Sequence, residues 1–202
     1  MLNSEKIKQH FKSLKKPYAH NSNWFWKGLR DKEKKTFHHL VKTLNINSCL
    51  DLGAGSCEYS KILLNQGAKK LVCVDFHDMS IEKHPRIEYV FSPVENFHTN
   101  DKYDLILCLG ILEFLEKPKN FLLKLKNFLK PQGKILLLLP LSLPMALAYK
   151  SYYLFKRISI PLLTLKNIHS FLIKHGFLLQ KTNPSGNFFS GFAIYSLSYQ
   201  KK

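Results

Sequence analysis

An α/β fold, with a parallel sheet covered by helices on both faces, is what this chain predicts, and three observations predict it. From residue 46 onward, short apolar runs alternate with segments of helical periodicity. One of those runs, Ile135 to Leu139, is continuously apolar, as expected of a strand buried on both sides. A glycine-bearing turn, Asp51-Leu52-Gly53-Ala54-Gly55-Ser56-Cys57-Glu58, joins the first run to the first helix of the repeat. With 202 residues and 45% hydrophobic content, the chain can form one domain with at most one added subdomain and a normal core. That content excludes a disordered chain.

Taken in order, Ile7, Phe11 and Leu14 repeat with helical spacing until Pro17 stops the segment. After Trp24-Phe25-Trp26, the residues Leu29, Phe37, Leu40, Val41 and Leu44 share one helical face, opposite the charged stretch Asp31 to Lys35. Residues 1–45 are therefore a helical lead-in packed on the core, and 46–202 the main domain. Strands are expected at 48–52, 70–75, 87–91, 103–109 and 133–139, and a helix from Ser56 to Gln66. Pro118 to Lys130 carries a helical stripe of Phe121, Leu122, Leu125, Phe128 and Leu129, and Pro131-Gln132-Gly133 turns the chain into the next strand. Residues 140–163 form a less regular insert containing Pro140, Pro144 and Pro161. A helix from Thr164 to His175 follows, with Thr164 as N-cap and Gly176 as its stop. Strands at Phe177–Thr182 and Phe192–Tyr199 close the domain.

Composition narrows the function classes. The net charge of +17 invites nucleic acid or an anionic surface, because basic residues displace counterions from phosphates. Yet only Arg30, Arg86 and Arg157 among 31 basic residues carry the guanidinium fork that reads phosphates and bases, and the lysines are spread out. Nucleic acid is therefore not favoured as a partner, and weak association with an anionic surface stays open. Cys49, Cys57, Cys73 and Cys108 form no CxxC pair and sit in or beside apolar strands, which points to packing, a reducing compartment, and no metal. The lysine-rich first residues lack the apolar core of a secretory signal, and the greasiest stretch, Ile135 to Ala148, is too short to span a bilayer. A cytoplasmic protein is the expectation.

The glycine turn carries the functional reading. Gly53 and Gly55 let backbone approach a ligand without Cβ interference, and the free N–H groups of the following helix can hold an anion. Asp75 ends the run Leu71-Val72-Cys73-Val74, where an acid can accept from both hydroxyls of a ribose. Strand, glycine turn, helix, strand and terminal acid together describe a nucleotide-like cofactor at the end of a parallel sheet.

These residues resemble the class I S-adenosylmethionine-dependent methyltransferases, over about residues 46 to 182. Asp51-Leu52-Gly53-Ala54-Gly55 is similar to that family's first glycine motif, and Val74-Asp75-Phe76 to its ribose-binding acid. Tyr103-Asp104 through Leu112-Glu113-Phe114 resembles the fourth-strand motif, and Phe128-Leu129-Lys130-Pro131-Gln132-Gly133 the Leu-Lys-Pro-Gly-Gly turn. The resemblance implies a Rossmann-like, seven-stranded, mostly parallel sheet with an antiparallel last strand, and S-adenosyl-L-methionine as cofactor. It implies that Asp51 orients the loop and the cofactor's ammonium, that Gly53, Ala54 and Gly55 pass under the methionine part, and that Asp75 holds the ribose. Phe76 would lie against adenine, with Val94 and Glu95 nearby, while Leu109 and Gly110 line the methionine end.

Three residues depart from the pattern: Cys57 at the third glycine, Pro93 where an acid often faces adenine, and Phe114 in place of a frequent histidine. The departures leave a catalytically inactive binding module of the same fold as an alternative. An NAD-dependent oxidoreductase is disfavoured by the missing last glycine of GxGxxG. No Asn/Asp-Pro-Pro-Tyr/Phe element follows Leu107, so the base-amino methyltransferase pattern is absent, although a basic RNA methyltransferase remains a rival. The expected acceptor is small and apolar, methylated at oxygen or nitrogen, with the insert's Leu141 to Phe155 and Trp24 to Trp26 forming an aromatic chamber. Glu113, Tyr18, His20 and His169 are the candidate bases, and methyl transfer needs none of them when positioning suffices.

Overall fold

The computed structural model describes residues 2–13, 24–78, 83–186 and 190–198. Helices α1 (Leu2–Lys12) and α2 (Trp24–Val41) precede β1 (Ser48–Leu52), α3 (Glu58–Asn65), β2 (Lys70–Asp75), β3 (Ile87–Phe91) and β4 (Tyr103–Leu109). Then come α4 (Pro118–Lys124), β5 (Leu129–Pro140), α5 (Leu143–Phe155), α6 (Leu165–Lys174), β6 (Phe177–Pro184) and β7 (Ser190–Leu197). The strands form one seven-stranded sheet in the order β3-β2-β1-β4-β5-β7-β6. Pairings from β3 through β5 are parallel, and β7 runs antiparallel to both β5 and β6.

The two-residue period of the strands divides the core cleanly. Leu50, Leu52, Val72, Val74, Ile106, Cys108, Ile135 and Leu137 face one side, where Leu122 of α4 and Ile168 and Leu172 of α6 cover them. Cys49, Leu71, Cys73, Leu105, Leu107 and Leu136 face the other, against Phe37, Leu40 and Val41 of α2 and Leu63 and Leu64 of α3. Asp104 ties the N-terminal edge of the sheet together. Its Oδ2 accepts from the Ser48 amide at 2.8 Å, the Ser48 hydroxyl at 2.9 Å and the Lys130 ammonium at 3.0 Å.

The first four expected strands lie where the hydrophobic pattern places them. Between β1 and α6, four elements differ. The helix after the glycine turn begins at Glu58, not Ser56, because Cys57 takes the left-handed conformation (φ 57°) and cannot continue a helix backwards. The helix from Pro118 stops at Lys124 and tightens into a 3-10 turn over Leu125–Phe128. Strand β5 begins at Leu129 rather than 133, and residues 130–133 bulge out, since Tyr103 pairs with Leu129 while Leu105 pairs with Lys134. Gly133 permits that crossing: a Cβ there would lie 2.7 Å from the Tyr103 carbonyl oxygen. Finally, the supposedly irregular insert contains α5. Pro144 sits in its first turn, where proline's missing N–H costs nothing.

Helix α6 has the expected cap in full. The Asn167 amide donates to Thr164 Oγ1 and the Thr164 amide to Asn167 Oδ1, and Gly176 follows with φ +79°. Strand β6 extends two residues past Thr182. The expected end of the last strand at Tyr199 lies outside the described residues.

Candidate functional site

Strand order reverses at β1: the chain runs outward through β2 and β3, then returns to place β4 on the other side. The loops after β1 and β4 therefore diverge and leave a crevice at the C-terminal edge, the place where open α/β sheets bind ligands. A separate hollow of about 450 Å³ lies at the opposite edge, lined by Asn45, Asn47, Asp104, Lys130 and Gln132. Its acid is already committed to the structural bonds of Asp104, so the C-terminal crevice is the better site.

Beside that crevice, Gly53 and Gly55 have φ of +73° and +52°, and the amides of Gly53 and Ala54 donate to the Val74 carbonyl at 2.8 and 3.2 Å. The two glycines differ in surroundings. A Cβ on Gly53 would come within 2.9 Å of the Ile111 side chain, whereas one on Gly55, or on Gly110 (φ +66°), would meet nothing within 4 Å. The loop is thus packed at its base and open above Gly55 and Gly110. That open cradle fits an adenosyl group with an amino-acid tail.

Asp75 shapes the cradle as well as facing it. Its Oδ2 accepts from the Gly55 amide at 2.9 Å and its Oδ1 from the His77 amide at 3.1 Å. Each carboxylate oxygen retains acceptor capacity for a hydroxyl. Burial raises its pKa, and the two amide bonds oppose the rise. Asp51, on the α3 side of β1, is buried beneath the loop and accepts from Ser60 Oγ at 2.8 Å, while Cys73 Sγ lies 3.3 Å from that hydroxyl. Burial pushes the Asp51 carboxyl up to about 7, with Asp75 adding to the rise and Ser60 opposing it.

At the tip of β4, half-buried Leu109 and Gly110 lead into a 3-10 turn, Leu112–Phe114. Glu113 is buried there, its Oε2 has no hydrogen-bond partner among the described residues, and burial raises its pKa to about 7. Phe114 turns toward the rim. Its ring packs edge-on against Phe11 of α1 at 5.0 Å and Tyr153 of α5 at 5.1 Å, and Phe11 also meets Phe76 at 6.4 Å. With Ile7, Tyr149, Ile158 and Ile160, the rings of Phe11, Phe114 and Tyr153 form a third apolar cluster.

The expected adenine side is less uniform. Phe76 is half-buried and stacks on His77 at 6.4 Å. Val94 is buried in the core with Phe97, and Glu95 is exposed, its backbone carbonyl accepting from Lys124. Among the candidate bases within the described residues, only Glu113 stands at this edge. His169 lies 3.4 Å from the Tyr195 hydroxyl, and Tyr195 pairs with Ile135 in the middle of β5. Tyr18 and His20 lie outside the described residues, as do the side chains of Trp24, Phe25 and Trp26.

Sequence reasoning missed Ser60, His77, Ile111 and Phe11 as members of the site. Ser60 sits where the helix's buried face meets Asp51, a signal the i, i+9 spacing from the acid carries weakly. Phe11 is brought in by tertiary packing alone. Among the described residues no cluster of metal-ligating side chains occurs.

Residues 50–135 match the family described as a methyltransferase domain. The mitochondrial ubiquinone biosynthesis O-methyltransferase of Schizosaccharomyces pombe is 28% identical over 149 residues, which is 63% of this chain and 52% of that protein. The tRNA U34 carboxymethyltransferase of Pseudoalteromonas atlantica is 29% identical over 125 residues, 57% of this chain and 36% of that protein. The chain thus spans about half or less of the length of these relatives. Among solved structures, the N-methyltransferase NodS of Bradyrhizobium japonicum, in complex with S-adenosyl-L-homocysteine, superposes with a TM-score of 0.70 at 13% identity, covering 96% of this chain and 98% of that one. That likeness shows the fold.

Proposed function

We propose that the chain, whose residues 50–135 match a methyltransferase domain, is a class I S-adenosylmethionine-dependent methyltransferase that moves a methyl group from S-adenosyl-L-methionine to a small, apolar acceptor at oxygen or nitrogen. The observation that carries the reading is the cradle left open above Gly55 and Gly110 and bordered by Asp75. Asp75 offers its remaining lone pairs to the ribose hydroxyls, and Gly53, Ala54 and Gly55 present backbone to the methionine part. Asp51 supplies negative charge beneath the loop for the ammonium. Phe76 gives adenine an aromatic face, with the loop at Val94 and Glu95 beside it. Leu109 and Gly110 border the methionine end.

The cofactor brings an electrophilic methyl on a sulfonium, so the chain's own task is to hold a nucleophile in line and keep water away. The acceptor's oxygen or nitrogen bonds to the methyl carbon as the carbon–sulfur bond breaks, and the acceptor's proton leaves to a base or to water. Glu113, in the turn after β4 and raised by burial to about 7, is the candidate to take it. Phe11, Phe114, Tyr149 and Tyr153 supply the apolar wall that favours a hydrophobic acceptor. The similarity to a ubiquinone-pathway O-methyltransferase supports the same class of acceptor.

A second reading is methylation of RNA, favoured by the charge of +17 and by the similarity to a tRNA-modifying enzyme. Calorimetry with S-adenosylhomocysteine tests the cofactor site: wild type binds, and Asp75→Ala weakens binding by tenfold or more, about 1.4 kcal/mol. Undiminished binding by the variant would remove the proposed role of Asp75. Incubation of a cell extract with labelled methyl donor then separates the acceptors, since label in RNA and salt-sensitive RNA affinity would replace the small-molecule reading.

A further inference from the structure

Helix α5 is apolar on both sides but buried on only one. A helix hydrophobic all round normally belongs inside a protein. Here Ala146 and Tyr153 face inward, while Leu143, Leu147 and Leu154, about 90° round the helix from them, and Phe155, nearly opposite, are exposed by 54%, 47%, 60% and 90%. At 100° per residue, Leu143, Leu147 and Leu154 fall within about 40° of one another, so they form one stripe. Phe155 lies about 80° to one side of it. Lys150, Lys156 and Arg157 flank this surface, and Lys156 and Arg157 are exposed. No Asp or Glu occurs anywhere after Glu116, so the part of the chain carrying α5 is basic throughout.

We propose that α5 is an interfacial docking helix for an anionic phospholipid bilayer. Its 13 residues make a rod about 20 Å long, too short to cross a membrane and suited to lying flat with leucines and phenylalanine in the acyl boundary. The lysines and arginine then meet the headgroups. Charge decides the occupant. A second copy docked through the same face would bring Lys150, Lys156 and Arg157 of both copies together, and RNA would leave the leucine stripe without a partner. Docking does not depend on methyl transfer, but on the reading above it has a consequence. The inner face of α5 walls the crevice through Tyr149 and Tyr153, so a bound bilayer would lie against the entrance used by an apolar acceptor.

Flotation of the full chain with phosphatidylcholine vesicles containing about one quarter phosphatidylglycerol tests this, with pure phosphatidylcholine as the comparison. Wild type is expected to float with the anionic vesicles and much less with the neutral ones. Leu147→Asp with Phe155→Asp is expected to lower vesicle affinity about tenfold or more while S-adenosylhomocysteine binding and Tm stay unchanged. Phe155→Asp alone, at the most exposed position, gives a milder loss and serves if the double variant misfolds. Lys156→Gln with Arg157→Gln should lower affinity several-fold and reduce its salt dependence. Equal flotation on neutral vesicles would overturn the anionic assignment. Binding that survives loss of the apolar residues, absence of wild-type binding at low salt, or a dimer that Phe155→Asp dissociates without any vesicle binding would overturn the docking helix.

Discussion

Asp51 and Glu113 are carboxyl groups held where a carboxylate is poorly solvated, and both titrate near 7 instead of near their ordinary 3.8 and 4.5. Between those limits the folded protein keeps protons that the unfolded chain has released. Each group's contribution therefore favours folding most at low pH, declines as pH rises toward 7, and is constant above it. Asp104, which Lys130 and Ser48 hold below its usual range, acts in the opposite sense and matters only in more acid solution. Asp51→Asn should accordingly gain about 2 to 3 kcal/mol relative to wild type between pH 5 and pH 8. Urea unfolding of the ligand-free protein at the two pH values measures it, and a pH-independent difference would mean that Asp51 is ionised throughout. The acid itself was legible from its place before the glycines. Its environment was not, because Ser60 and Cys73 reach it from a helix and a neighbouring strand.

The β1–α3 turn separates two uses of glycine within three residues. Gly53 is required by packing and conformation together, Gly55 by conformation and by the free space above it. Gly53→Ala should cost about 2 to 3 kcal/mol through its collision with Ile111. Gly55→Ala should cost nearer 1 kcal/mol, from left-handed strain alone, yet weaken S-adenosylhomocysteine binding more. Thermal melts paired with calorimetry separate the two, and equal stability losses would contradict the assigned geometry. Strands β1 to β4 were readable because apolar runs flanked by polar turns have few other fates. Two elements were not. Helix α5 hides its period because both faces are apolar, and the early start of β5 depends on a bulge that only pairing with Tyr103 reveals.

At the level of the whole molecule, the sheet's two faces and its rim are built differently. The two large clusters share every central strand, whereas the third is assembled from α1, the turn after β4, α5 and the segment reaching Ile160. Its members come from separate stretches and contribute no strand to the sheet. Stability in such a fold is uneven, and regions outside the cooperative core open first. Hydrogen exchange should find the amides of α1 and α5 releasing protection well before those of β1 and β4, and uniform protection would contradict this division. The mostly parallel sheet and the position of the glycine turn were legible as a whole. The roof was not, since Phe11, Phe114 and Tyr153 are brought together only by folding.

Phe11, Phe76, Phe114 and Tyr153 meet through ring edges instead of through ions. Contacts of this kind are indifferent to salt, and on the acceptor proposed above a hydrophobic molecule would compete for the same ring faces.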